Sequence, residues 1–222
     1  MDLQALQARL NYQFVDNIYI ERALTHASAH QKSTGLDYER LEFLGDRVVN
    51  LVVADLLFKI FPDENEGSLA KRHTALVRTE TLAELARILK MGEFVILSDA
   101  ERMAGGAEND NILADIMEAI IAAIYLDGGF HAAEKFIVFI MGDRLHKMTE
   151  PPRDPKTALQ EWSQANGLGL PAYEVVGQDG PDHAPEFTIQ VSLDGYVSQS
   201  ATSTSKKKAE KEAAQKMLDI VS

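Results

Sequence analysis

The 222-residue chain contains no cysteine, which removes disulfides, thiolate-bound zinc and cysteine nucleophiles together. Long apolar runs are also missing. The longest, Ala119 to Leu126, falls far short of the roughly 20 residues that a membrane-spanning helix needs, so no membrane span is expected. Residues 1–14 have neither a basic start nor a compact apolar stretch followed by a small-residue cleavage site, so they do not read as a secretion signal and a cytoplasmic location is expected. Net positive charge is lacking as well: 22 Lys and Arg stand against 34 Asp and Glu, for −12. That balance argues at first sight against a nucleic-acid partner, because phosphate affinity normally comes from cations displacing counterions.

The distribution of charge qualifies the total. Residues 151–222 carry seven Lys and Arg against ten Asp and Glu, so neither part of the chain is basic. Five of those seven cations nevertheless fall between Lys206 and Lys216, a local basic patch in an acidic protein. A composition that is 45% hydrophobic and 25% charged is close to the globular average and excludes disorder of the whole chain.

The length suits two domains better than one, and the sequence marks a boundary near 150. The segment from Thr149 to Pro155 holds three of the seven prolines and separates two textures. Before it, apolar residues recur at helical spacing over roughly 3–10, 37–60, 69–90, 111–126 and 131–147, which predicts an all-α domain at 1–148. After a linker at 149–154, a helical pattern at about 155–166 precedes β-rich runs at 172–176, 186–193 and 196–202. A helix at 205–221 closes the chain. The expectation for 155–222 is therefore a small α+β domain of order α-β-β-β-α.

Two stretches set carboxylates where a core is expected. On a helix, Glu39, Glu42 and Asp46 fall within about 60° of one another, and the same stripe runs on into Val49 and Val53. From Asn111 to Leu126 the only charges are Asp115 and Glu118, spaced i, i+3 and sharing a face with Ile112, Ala119 and Ala122. A buried, unpaired carboxylate costs several kcal/mol, so these acids need a cation or a proton. Oxygen-only ligands on two helices suit a shared Mg²⁺ or Mn²⁺ rather than zinc. The alternative is that buried arginines, among Arg40, Arg47, Arg72 and Arg78, neutralise them.

The run Glu39-Arg40-Leu41-Glu42-Phe43-Leu44-Gly45-Asp46 matches the signature of the ribonuclease III family. The likeness extends to Leu24–Ser28, Glu66-Gly67, Ala75–Arg78, Leu82–Ala86, Ile112–Asp115 and Glu118-Ala119. What the resemblance implies is a bacterial-type, Mg²⁺-dependent endoribonuclease that cuts double-stranded RNA as a homodimer. Cleavage would leave 5′-phosphates, 3′-hydroxyls and short 3′ overhangs, in processing of ribosomal RNA precursors and other structured transcripts. Carried over by position, Glu42, Asp46, Asp115 and Glu118 are the metal ligands. Asp46 and Glu118 are also catalytic, as are Glu39 and Glu66, which line the cutting valley. Glu66 reads equally well as an acid in a turn or a first helical turn, and Phe43 either plugs the partner subunit or is an ordinary core residue. Two departures stand out: Arg47 replaces a usually small residue, and Asn109-Asp110-Asn111 replaces a more basic stretch.

At the other end, Ser205 is a good N-cap directly before Lys206, Lys207 and Lys208. A helix N-terminus disfavours cations, so local stability does not explain these lysines. Beside the free N–H groups they suit phosphate oxygens. With Asp154–Glu161 upstream, this part resembles a double-stranded RNA-binding domain, a fold that reads the shape of the A-form duplex. The resemblance places Thr157, Gln160, Gln164 and His183 at the minor grooves, and Lys206 and Lys207 on phosphates. Two other classes stay open on sequence: a scaffold protein on duplex RNA that has lost activity, and a helical enzyme acting on a small diphosphate. The latter would want a denser acidic repeat and leaves the basic tail unexplained.

Overall fold

The computed structural model describes residues 2–29, 38–148, 150–181 and 185–221, and the chain forms two compact units, Met1–Pro152 and Arg153–Ser222. Among its described residues the first unit is built of helices, as its apolar periodicity predicts. Helices α1 (Leu3–Leu10), α2 (Asn17–Ala23), α3 (Tyr38–Ile60), α4 (Glu66–Val77) and α5 (Thr79–Ile88) lead to the short α6 (Asp99–Met103). The long α7 (Asp110–Met141) and α8 (Arg144–Lys147) complete it. The core lies between α3 and α7: Val49, Val52 and Val53 of the one and Ile116, Ile120 and Ile124 of the other are fully or almost fully buried. Among the described residues no helix is long and apolar enough to cross a membrane.

Three features depart from the periodicity. The pattern at 69–90 is two helices, because Arg78 adopts extended backbone (φ −66°, ψ 155°) and ends α4 as it starts α5. No proline or glycine announces this break. Thr81 holds it, donating its hydroxyl to the Ala75 carbonyl at 2.7 Å. The pattern at 111–126 and most of that at 131–147 become one element, α7, kinked at Gly129, where φ is +77°, a conformation that glycine adopts at no steric cost; the end of the second pattern is the separate α8. Residues 24–28, which carry no periodic signal, are held by a parallel bridge between Thr25 and Ile96, with His26 N–H donating to the Ile96 carbonyl at 3.0 Å.

The second unit runs α9 (Pro155–Ala165), β1 (Ala172–Asp179), β2 (Glu186–Ser192), β3 (Gln199–Ser203) and α10 (Lys206–Val221). Its antiparallel sheet has the order β1-β2-β3, with a register shift between Val175 and Gly177. Asp154 caps α9 through N–H groups of Lys156 and Thr157, with Pro155 at the first helical position, where its missing N–H costs nothing. Leu159, Val191, Leu193, Ala201, Ala213, Ala214 and Met217 form a separate core, against which Trp162 packs. The third β-rich run begins later than expected. Gly195 (φ +82°) turns the chain after β2, and Tyr196 stacks edge-on against Trp162 at 5.7 Å instead of entering β3.

Candidate metal centre

Gly45 decides how closely α3 and α7 approach. A methyl group there would interpenetrate the backbone carbonyl of Glu118. Glycine inside a helix costs about 1 kcal/mol relative to alanine; here the missing side chain lets one backbone lie against the other. One turn before Gly45, Glu42 faces the acids of α7. An oxygen from each of Glu42, Asp115 and Glu118 lies within 4.8 Å of the other two, while Leu113, Ala114, Ile116, Met117 and Ala119 around them are buried.

Of these three carboxylates, Glu118 feels the charge of Arg47. Burial raises the pKa of each above the ordinary carboxylate range; Asp115 and Glu39 add to the effect on Glu42, and the charge of His26 partly offsets it on Asp115. Glu118 is pushed up to about 7, first by burial and then by Asp115 and Glu42, with Arg47 acting in the opposite sense. Beside them the Tyr38 hydroxyl is buried and has no hydrogen-bond partner among the described residues. Burial and the charges of Asp115, Glu42, Glu118 and Glu39 push its pKa up. Mutually repelling oxygens around an orphaned hydroxyl are what a hard divalent cation would relieve, so the residues fit Mg²⁺ or Mn²⁺.

A pH dependence follows. Between about 4.5 and about 7 folded Glu118 keeps a proton that the unfolded chain releases, so its contribution favours folding below about 4.5 and is lost as pH rises through about 7. In chelator, the melting temperature of the wild type should fall relative to Glu118→Gln over that interval. Mg²⁺, which needs the ionised carboxylate, should counter the fall. Melting curves in EDTA and in Mg²⁺ check this, and parallel pH profiles for the two proteins in EDTA would refute it.

The other sequence-derived residues are distributed around this group. Asp46 is not one of the three. Its carboxylate takes a hydrogen bond from Asn50 Nδ2 at 2.7 Å and pairs with Arg47. Glu39 is exposed on the first turn of α3, close enough for its charge to bear on Glu42. Glu66 is the exposed first residue of α4, after the N-cap Asn65, the position where an acid meets the helix dipole. Of the arginines weighed as buried counter-ions, Arg72 is fully buried but serves Glu64, at 2.8 Å from Nε. Arg78 lies near Glu80 and Thr81. Phe43 is 64% exposed, which overturns its reading as an ordinary core residue in the single chain. Sequence reasoning missed Tyr38; its only signal was its place one helical turn before Glu42.

On the second unit, Thr157, Gln160 and Gln164 are all exposed and spaced i, i+3, i+7 along α9, which puts them on one stripe. His183 lies outside the described residues. Acids take two nearby cations, Lys156 by Glu210 at 2.6 Å and Lys211 by Asp154 at 2.8 Å, and Lys216 donates to the Ser200 carbonyl at 2.8 Å. Lys206, Lys207 and Lys208 remain exposed at the start of α10, and Lys206 Nζ lies 5.2 Å from the Phe187 ring centroid. The cationic surface is thus narrower than the sequence count suggests.

Comparison with known proteins agrees with this division. A ribonuclease-III-like family model matches residues 16–144, and a double-stranded RNA binding motif matches 155–221. Ribonuclease 3 of Wolbachia sp. subsp. Drosophila simulans is 48% identical over 98% of this chain and 95% of its own length. That of Ruegeria pomeroyi is 49% identical over 98% and 96%. The crystal structure of the Campylobacter jejuni ribonuclease III nuclease domain superposes with a TM-score of 0.60 at 39% identity, covering 64% of this chain and 95% of that one. A cluster of three carboxylates in an all-α domain, followed by a duplex-RNA-binding fold, defines an endoribonuclease of double-stranded RNA. The chain belongs to the ribonuclease III family.

Proposed function

We propose that residues 1–148 are a Mg²⁺-dependent catalytic domain, 149–154 a linker and 155–222 the duplex-binding domain of a cytoplasmic homodimer. On this reading it processes ribosomal RNA precursors and other structured transcripts, leaving 5′-phosphates, 3′-hydroxyls and short 3′ overhangs. The grouping of Glu42, Asp115 and Glu118 within 4.8 Å carries the reading. Mg²⁺ held there, with Mn²⁺ as a substitute and Asp46 as a further ligand, would supply a water of lowered pKa and offset charge developing on the phosphate. Glu118 and Asp46 are the catalytic acids on α7 and α3, and Glu39 and Glu66 line the valley that receives the strand. Thr157, Gln160, Gln164 and His183 read the minor grooves while Lys206 and Lys207 hold phosphates.

A duplex has two strands to cut, and a two-fold dimer offers one site to each. Phe43, Leu51 and Phe58 are 64%, 59% and 71% exposed along one side of α3, an apolar stripe of the kind that marks an interface. The related Campylobacter jejuni nuclease domain has been described with a region involved in dimer formation.

The reading is tested by incubating the protein with a long RNA duplex, with and without Mg²⁺, across a salt titration, and by examining product ends. Sedimentation of the same preparation should give about twice the 24.5 kDa chain mass. Replacing Lys206 and Lys207 by Ala should weaken binding and reduce the log–log salt slope by roughly 0.9 per lost phosphate contact, if the duplex behaves like B-DNA. Turnover should approach wild type at saturating RNA and low salt. An unchanged slope would reject the lysines as phosphate contacts, and no cleavage by the wild-type protein in Mg²⁺ would reject the catalytic assignment.

A further inference from the structure

Asp46 lies one helical turn beyond Glu42, yet its carboxylate is engaged elsewhere. Oδ1 accepts from Asn50 Nδ2 at 2.7 Å, and the same amide nitrogen donates to the Asp46 carbonyl at 2.6 Å. Oδ2 is paired with Arg47 Nη1. The Arg47 guanidinium in turn lies 5.0 Å from the centroid of the Phe43 ring. Its side chain is 64% exposed, and its charge also bears on Glu118. A tethered cation therefore sits at the rim of the carboxylate group, fixed on one side by an aromatic face and on the other by the fourth acid. Small residues at this position would leave that acid to Asn50 alone.

We infer that Arg47 is an internal competitor of the divalent cation, holding Asp46 in an ion pair that the metal must break before all four carboxylates can serve it. The inference rests on the reading of Glu42, Asp115 and Glu118 as the metal site. Two physical terms act in the same direction. A guanidinium near the group repels an incoming cation, and its bond to Asp46 withholds an oxygen that the cation would recruit. Neither term is large, because an exposed ion pair is weak. Arg47 thus tunes occupancy without blocking it, and once displaced its exposed guanidinium is free to turn away from the site. Lysine at the same place would keep the charge but not the planar fork or its stacking on Phe43.

The test titrates the full-length protein with Mn²⁺ alone, without RNA, reading free Mn²⁺ by electron paramagnetic resonance at low ionic strength. Arg47→Ser should bind Mn²⁺ roughly 1.5- to 5-fold more tightly than wild type, the size expected for release of one exposed ion pair. Arg47→Lys should fall between the two. In an Asp46→Asn background the gain from Arg47→Ser should shrink to the part owed to guanidinium repulsion, because the withheld oxygen is already gone. Equal or weaker binding by Arg47→Ser overturns the proposal, and so does an undiminished gain in the Asp46→Asn background. Both results leave the three-carboxylate site standing. If neither wild type nor Arg47→Ser binds Mn²⁺ saturably, the metal site itself fails and the proposal falls with it.

Discussion

Replacing Glu118 by Gln is expected to lower duplex cleavage by roughly 10²- to 10³-fold or more, the scale of losing one group that meets charge in a transition state, while duplex binding stays near wild type. The argument begins with burial. Residues on either side of Glu118 are fully buried, and its carboxyl is pushed up to about 7 by burial and by Asp115 and Glu42. An acid held so far from its ordinary value, in a group of three, sits where a cation is needed for ionisation. Glutamine keeps the shape and one oxygen but removes the charge, so the cation loses affinity and the pocket loses its repulsion. The same substitution should therefore stabilise the metal-free fold near neutral pH. Lys206 and Lys207 lie on the other unit and keep their charge, so retention of RNA should be unaffected. Single-turnover cleavage and filter binding separate the two effects. Wild-type cleavage by Glu118→Gln in Mg²⁺ would sink the metal assignment, and a joint loss of cleavage and binding would show that Glu118 supports the RNA surface as well.

The carboxylates on apolar stripes were legible in the sequence because a charge among isoleucines and alanines is out of place on physical grounds. Asp115 and Glu118 stand alone among apolar side chains from Ile112 to Leu126. The order of elements was legible for a similar reason, since periods of 3.6 and 2 separate the two units. Short helices were not. α2 and α6 have seven and five residues, too few turns to show a period. The break at Arg78 was hidden because its cause is a hydrogen bond from Thr81 to a carbonyl six residues back, a tertiary detail without a composition. The engagement of Asp46 was hidden in another way. Its stripe groups it with Glu39 and Glu42, but the next residue is a cation able to reach it, and the pattern of a helix face does not say which neighbour a flexible side chain chooses. Tyr38 went unread because a tyrosine at the start of an apolar helix is ordinary until its hydroxyl is found without a partner.

Substituting Gly45 by Ala should damage the site more than its single methyl group suggests. In an isolated helix the change would gain about 1 kcal/mol from propensity. Here the new carbon would meet the backbone carbonyl of Glu118, and a carbonyl fixed in the hydrogen-bond ladder of α7 cannot turn aside as a flexible side chain would. The helices must separate. Overpacking of this kind costs about 1–3 kcal/mol, which outweighs the propensity gain over most of its range and should lower the melting temperature by roughly 2–4 °C for each net kcal/mol in a domain of this size. The functional effect should be larger than the loss of stability. Glu118 carries both the carbonyl that is pushed and the carboxylate that belongs to the group, and Glu42 lies three residues before Gly45 on the opposing helix. Any separation therefore opens the distance between ligands directly, and a displacement of about 1 Å can cost about 10²-fold in rate. Melting curves with and without Mn²⁺, together with duplex cleavage, measure both parts. Gly45→Ala should melt somewhat lower, gain less stability from Mn²⁺ than wild type, and cleave far more slowly at a temperature where it is fully folded. If it cleaves and binds Mn²⁺ like wild type, close approach at Gly45 is not what brings Glu42 to Asp115 and Glu118.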